Sequence, residues 1–177
     1  MSLASAPTRL ASPCRAALLA IALASAALPA AARTPPSTGP IEQRNQAAVR
    51  DAFTAWEAGT GAIASLLASD VVWTIQGSGP IAGTYRGRDA FVERASKPLV
   101  SRLATPLVPK VHNVWAVDDR VIVRFDASAT TTGGHRYSNQ YVWIMKMRDG
   151  SVAEAEAFLD LVAYQKVVDE NEPKPKG

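Results

Sequence analysis

Residues 135–164 read HRYSNQYVWIMKMRDGSVAEAEAFLDLVAY, two strand-like runs on either side of a tight turn. Tyr, Val, Trp and Ile crowd the first run, Tyr137–Met147, and suit a half-buried pleated surface. The second run is Val152–Leu161, and Arg148-Asp149-Gly150-Ser151 joins the two. Asp-Gly between such runs is a strong hairpin signal. Pairing Met147 with Val152 sets a register in which Trp143 faces Glu156, Tyr141 faces Phe158 and Asn139 faces Asp160, provided no bulge intervenes. An acid beside an amide, framed by aromatic rings, is a candidate reaction centre.

Working outward, Lys110–Val117, Arg120–Thr131, Tyr137–Met147 and Val152–Tyr164 are four strand-like runs. Asp118-Asp119, Thr132-Gly133-Gly134 and Asp149-Gly150 separate them. Connections this short make the runs antiparallel neighbours, because a parallel pair needs a long crossover. Upstream, Val49, Ala52, Phe53 and Trp56 fall at i, i+3, i+4 and i+7 and predict a helix from Ile41 to Ala58, ended by Gly59. Ile63, Leu66 and Leu67 predict a short second helix with Asp70 at its exit, and Val71–Gln76 a first strand. Gly77-Ser78-Gly79-Pro80 breaks that strand. Ile81–Gly87 then reads as a loop or short hairpin before a third helix, Arg88–Lys97, which Pro98 stops or bends. The expected class is α+β: about three N-terminal helices packed on a strongly curved, mainly antiparallel sheet.

The 177 residues suffice for one domain with a sizeable core. Residues 1–32 carry Arg9 and Arg15, then the apolar run Ala16–Leu28, then Pro29-Ala30-Ala31-Ala32. That pattern describes a secretory signal peptide cleaved after Ala32, and the run is too short and too rich in Ala for a stable membrane anchor. Export to the periplasm or the medium is the expected localisation. Residues 33–40 then read as a linker, 41–168 as the domain and 169–177 as a polar tail. The single cysteine, Cys14, would leave with the signal, removing disulfides and thiol chemistry from the mature chain. Losing Arg9 and Arg15 takes 19 basic residues to 17 against 16 acidic ones, so no charge excess argues for nucleic acid as a partner.

Carrying the register through all three turns divides the meander into two faces. One holds His112, Val114, Val123, Phe125, Ala127, Val142, Ile144, Ala155, Ala157 and Leu159. The other holds Asn113, Trp115, Arg124, Asp126, Ser128, Asn139, Tyr141, Trp143, Glu156, Phe158 and Asp160, mixing rings with polar groups as ligand pockets do. One bulge would exchange members between the two.

Three segments then resemble a known family in their order and spacing. They are Ser78–Phe91, with the pattern P-x-A-G-x-Y-x-G-x-x-x-F, then Tyr137-Ser138-Asn139-Gln140-Tyr141, then Asp149-Gly150-Ser151-Val152 leading to Phe158-Leu159-Asp160. Together they resemble the SnoaL-like branch of the nuclear transport factor 2-like superfamily. The resemblance implies a cone of three helices closing on a curved sheet, an interior pocket and often a homodimer through the outer sheet face. This fold hosts polyketide cyclases, isomerases, dehydratases, epoxide hydrolases and non-catalytic pockets, so activity must be argued from the site.

Asp160 matches the acid/base aspartate of the SnoaL-like cyclases; in an apolar pocket its carboxyl pKa would rise toward neutrality. As a structural residue it would instead cap or pair at the strand end. Asn139 would orient that carboxylate or a substrate carbonyl. Arg124 and Asp126, two apart in one strand, resemble with Asp160 the Asp-Arg-Asp set of limonene-epoxide-hydrolase-like proteins, although the Tyr-x-Asn pair of the first strand is missing; an exposed Arg–Asp ion pair is the plainer account. A ketosteroid isomerase reading lacks its tyrosine on the first helix and has Asp70 too early unless the strand begins sooner. His112 and His135 have no neighbouring ligand at metal-binding spacing. Trp56, Trp73, Tyr141, Trp143 and Phe158 would form pocket wall.

The expectation is thus an exported domain holding a small, largely apolar molecule without cofactor or metal. Its enzymatic version is acid/base chemistry of the cyclase, isomerase or lyase type, with Asp160 moving the proton. The alternatives are a non-catalytic binding protein, an epoxide-hydrolase-like enzyme using Arg124, Asp126 and Asp160, or an interaction module acting through its sheet face.

Overall fold

A computed structural model of the chain describes residues 39–175; the expected signal segment and most of the linker lie outside the described residues. Helix α1 is Pro40–Glu57, and a 3-10 turn follows at Ile63–Leu66. Next come strands β1 (Leu67–Ile75) and β2 (Gly83–Arg86). A continuous helical run is built of α2 (Arg88–Phe91), a π-helical turn (Val92–Ser96) and α3 (Lys97–Val100). Four long strands, β3 (Val108–Val117), β4 (Arg120–Thr130), β5 (Arg136–Arg148) and β6 (Ser151–Leu159), precede a final helix, α4 (Leu161–Glu170). The sheet order is β2-β1-β6-β5-β4-β3, antiparallel throughout except that β1 runs parallel to β6. Helices packed on a curved six-stranded sheet make the α+β class read from the sequence.

The predicted stripe on α1 does what its spacing requires: Val49 and Phe53 are fully buried against the inner sheet face, with Trp56 partly so. The Glu42 carboxylate accepts the N–H of Gly39 and that of Asp118 (2.9 Å), pinning the helix start to the β3–β4 turn. These bonds, Asp118 first, hold its pKa below the usual carboxylate range.

Four expectations need correction. First, the expected β5–β6 register holds only beside the turn, at Arg148 opposite Ser151 and Met147 opposite Val152. Ala153 is then an extra residue, so Lys146 faces Glu154, Ile144 faces Glu156, Trp143 faces Ala157 and Tyr141 faces Leu159. Val152 and Ala153 are buried in succession, as a bulge permits and regular alternation does not. Second, the β4–β5 turn leaves Thr131 paired with His135 around a three-residue loop, with Gly134 left-handed at φ 81°. Arg124 therefore stands opposite Val142, and Arg124, Asp126 and Ser128 share the outer face, away from Tyr141 and Trp143. A further bulge at His112 moves that residue out of the apolar face to an exposed contact with Asp126.

Third, β1 begins at Leu67, so Asp70 lies within the strand, where it is exposed and pairs with Arg148 at 2.6 Å. Fourth, residues 161–170, which the sequence reading assigns partly to the last strand, form α4. The helical run before β3 also continues through Pro98, whose missing N–H is accommodated after the wide turn at Val92–Ser96. There the Tyr164 hydroxyl donates to the Ala95 carbonyl (2.9 Å). This contact, with buried Tyr164 and Val167, docks α4.

Asp160 is the N-cap of α4, its carboxylate accepting the N–H of Val162 (2.9 Å) and Ala163 (3.0 Å). Replacing it by Ala should cost about 1 kcal/mol, whereas Asp160→Asn keeps an equivalent cap and should be close to neutral. Urea unfolding of the three proteins checks this; equal losses for both variants would mean that the negative charge, not the cap, is what matters.

Candidate functional site

Tyr137, Asn139, Tyr141, Trp143 and Met145 face inward together because they alternate along β5. Opposite these large groups β6 offers Ala155 and Ala157, both buried. Rings on one strand and methyl groups on the next leave space, and the helices roof it. A cavity of about 520 Å³ lies between them.

Its walls come from every layer of the fold. Trp56 enters from α1, Trp73 and Ile75 from β1, Phe91, Ala95 and Leu99 from the helical run, Tyr141 and Trp143 from β5, Ala157 and Leu159 from β6, and Tyr164 from α4. Trp143 is the hub. Its ring lies 4.8 Å from Phe125 and 4.9 Å from Trp73, both edge-on, and stacks over Trp56 at 6.1 Å. Among the described residues, no charged one lines the cavity. Its polar side chains are Ser96, Tyr141, Tyr164 and the indoles of Trp56, Trp73 and Trp143, and Trp73 Nε1 is buried without a hydrogen-bond partner among the described residues. Burial is the first cause that raises the pKa of Tyr137, Tyr141 and Tyr164. All three therefore remain neutral phenols at physiological pH.

Asp160 is exposed, not desolvated inside the cavity, and its carboxylate serves the helix start. The expectation of an acid enclosed under the helices fails because β6 ends at Leu159, just before Asp160, and the chain turns into α4. Asn139 is buried, but it grips main chain and a phenol instead of the carboxylate. It accepts from Gln140 N (2.8 Å) and Asp160 N (3.0 Å) and donates to Asp160 O (2.9 Å) and the Tyr137 hydroxyl (3.0 Å). Tyr137 and Tyr141 hydroxyls are 2.8 Å apart.

The outer face collects what the sequence reading placed inside. Arg124 holds Asp126 at 2.6 Å, and His112 holds its other oxygen at 2.8 Å. These bonds, Arg124 first, keep the Asp126 pKa below the usual carboxylate range. Phe158, opposite Val142, is 42% exposed. Arg124, Asn139, Tyr141, Phe158 and Asp160 all border one shallow groove of about 450 Å³ where β6 ends. Thus Trp56, Trp73, Tyr141 and Trp143 meet at the cavity, Asp160, Asn139, Arg124 and Phe158 meet at the groove, and Asp126 borders neither. Sequence reasoning missed Phe91, Tyr137 and Tyr164. Tyr164 and Val167 carry a legible signal, an i, i+3 apolar pair after a good N-cap residue.

The chain is similar in fold to several solved structures. A protein from a soil-derived mobile gene cassette is 23% identical, with a TM-score of 0.59 over 72% of this chain and 98% of that one. An NTF2-like protein from Burkholderia thailandensis is 21% identical, with a TM-score of 0.57 over 70% of this chain and 95% of that one. TerC, co-crystallised with polyporic acid, is 22% identical, with a TM-score of 0.56 over 71% of this chain and 98% of that one. No curated protein matches. The profile of the SnoaL-like domain matches residues 49–155, more than half of the chain and every element from the middle of α1 into β6, and the protein belongs to that family.

Proposed function

We propose that this domain binds a small, uncharged, ring-bearing molecule in its interior cavity and does so without moving a proton through a carboxylate. The observation that carries this reading is the lining: a space within the range of small-molecule sites, walled by aromatic and aliphatic groups, with no charged side chain. Transfer of an ion into such a lining is unfavourable, while an apolar ring gains both area burial and ring contacts. TerC, a protein of the same fold, was co-crystallised with a small molecule, polyporic acid.

A second reading keeps acid/base chemistry and locates it in the outer groove, where Asp160, Asn139 and Arg124 converge. There Asp160 would move the proton and Asn139, locked by its own hydrogen bonds, would hold the strand end in place. The epoxide-hydrolase-like version needs Asp126 as well, and that carboxylate is already shared between Arg124 and His112.

Two further parts of the proposal concern assembly and location. The outer sheet face exposes Val108, Trp115, Val117 and Phe158, ringed by Arg124, Asp126, Lys146 and Glu154, and we assign it to homodimer formation. The composition of residues 1–32 supports export, and among the described residues no helix is long and apolar enough to cross a membrane.

For the cavity, the uncharged fluorophore N-phenyl-1-naphthylamine should bind the protein, and Ala157→Leu, checked for folding by circular dichroism, should weaken it about tenfold or more by filling the space. Asp160→Asn should leave that binding intact. Binding that ignores Ala157→Leu but fails in Asp160→Asn would favour the groove instead. Sedimentation should find a dimer that Trp115→Lys converts to monomer, since a stable interface of about 800 Å² per partner does not tolerate a buried unpaired ammonium. Mass spectrometry of protein recovered outside the cytoplasm should give an N-terminus at Arg33; an intact Met1 there would refute processing.

A further inference from the structure

We propose that the Tyr141 hydroxyl is the hydrogen-bond donor offered to the cavity's ligand, and that this ligand carries an uncharged acceptor oxygen of the ketone or quinone type at its Tyr141 end. The inference rests on the cavity reading above and adds an orientation to it.

The argument is a count of hydrogens. Asn139 uses both amide hydrogens, on the Asp160 carbonyl and on the Tyr137 hydroxyl, while its oxygen takes two backbone N–H groups. Those two N–H groups fix which end of the amide is oxygen. Tyr137 and Tyr141 then share one hydrogen bond but own two phenolic hydrogens. One hydrogen is left with no acceptor among the described residues.

The direction of the chain decides which one. The Tyr137 oxygen already accepts from Asn139, and a hydroxyl that accepts becomes a stronger donor. Running Asn139 to Tyr137 to Tyr141 is therefore cooperative. The reverse order would crowd two donors onto the Tyr137 oxygen and strand its own hydrogen away from the space, since Tyr141 borders the cavity and Tyr137 does not. The spare hydrogen thus belongs to Tyr141.

The other polar groups on the wall are Ser96, Tyr164 and the indoles of Trp56, Trp73 and Trp143. Tyr164 has given its hydrogen to the Ala95 carbonyl, and Trp73 Nε1 has almost no accessible surface. A buried donor without an acceptor is costly, and a ligand oxygen removes that cost. The oxygen is uncharged because no lining residue could balance a carboxylate. Burial raises the Tyr141 pKa, so the group remains a donor through the physiological range.

The test uses two probes sharing one ring system: 6-propionyl-2-dimethylaminonaphthalene, which has the ketone, and 6-propyl-2-dimethylaminonaphthalene, which lacks it. Dissociation constants of both and the infrared carbonyl band of the bound ketone are measured for the wild type, Tyr141→Phe and Tyr137→Phe. The ketone should bind the wild type roughly tenfold more tightly than Tyr141→Phe, with the analogue unchanged between them. Its carbonyl band should lie below the value in cyclohexane, return to it in Tyr141→Phe, and return part of the way in Tyr137→Phe, where the donor survives without its polarising partner. A wild-type band equal to that in cyclohexane, or a ketone affinity indifferent to Tyr141→Phe while the analogue still binds, would overturn this inference and leave the cavity reading standing. Failure of the wild type to bind either probe would overturn both.

Discussion

The interior of this domain depends on one extra residue. Ala153 interrupts the pairing of β5 with β6, and beyond it every β6 side chain faces the other way from an unbroken ladder. Trp143 and Tyr141 then meet Ala157 and Leu159 on the inner face, while Glu154, Glu156 and Phe158 go outward. Without the bulge, Glu156 would stand beside Trp143 in the core, an uncompensated charge in apolar surroundings. The alternation Glu154-Ala155-Glu156-Ala157 tolerates only one of the two registers.

The cavity is the direct result. Trp143 sits among four other rings, Phe53, Trp56, Trp73 and Phe125, at 4.8–6.1 Å, and such pairs contribute about 0.5–1.5 kcal/mol each beyond the area they bury. That cluster is stiff. The alanines of β6 cannot fill what remains, and the helices approach only as far as Phe53, Phe91 and Tyr164 allow. The empty volume is a consequence of rigid large groups facing small ones, which is the usual way a packed interior retains a binding space.

The same strand ends organise the exit of the chain. Asn139 clasps both backbone groups of Asp160, and Asp160 in turn caps α4, so a buried amide and an exposed carboxylate act in series to aim the last helix. Tyr164 then reaches across to the widened turn at Val92–Ser96. The residues that resemble a reaction centre in the linear pattern therefore have a structural employment, which fully accounts for their hydrogen bonds. Tyr141, at the end of the chain they begin, borders both the cavity and the groove.

Much of this was written in the chain itself. The α1 stripe at Val49, Phe53 and Trp56, the Asp-Gly hairpin, the antiparallel meander and the helices-on-sheet class all follow from local periodicity and turn chemistry, which act over a few residues. The family motifs were legible for the same reason. Faces were not, because side-chain direction inverts with each unpaired residue, and bulges at His112 and Ala153 and a three-residue loop at Thr132–Gly134 carry no distinctive local signature. Whether Asp160 lies inside or outside, and whether Arg124 joins it or Tyr141 does, was settled only when all six strands had paired and the helices had chosen which face to cover. That choice minimises charge burial summed over the whole sheet, a quantity no single segment contains.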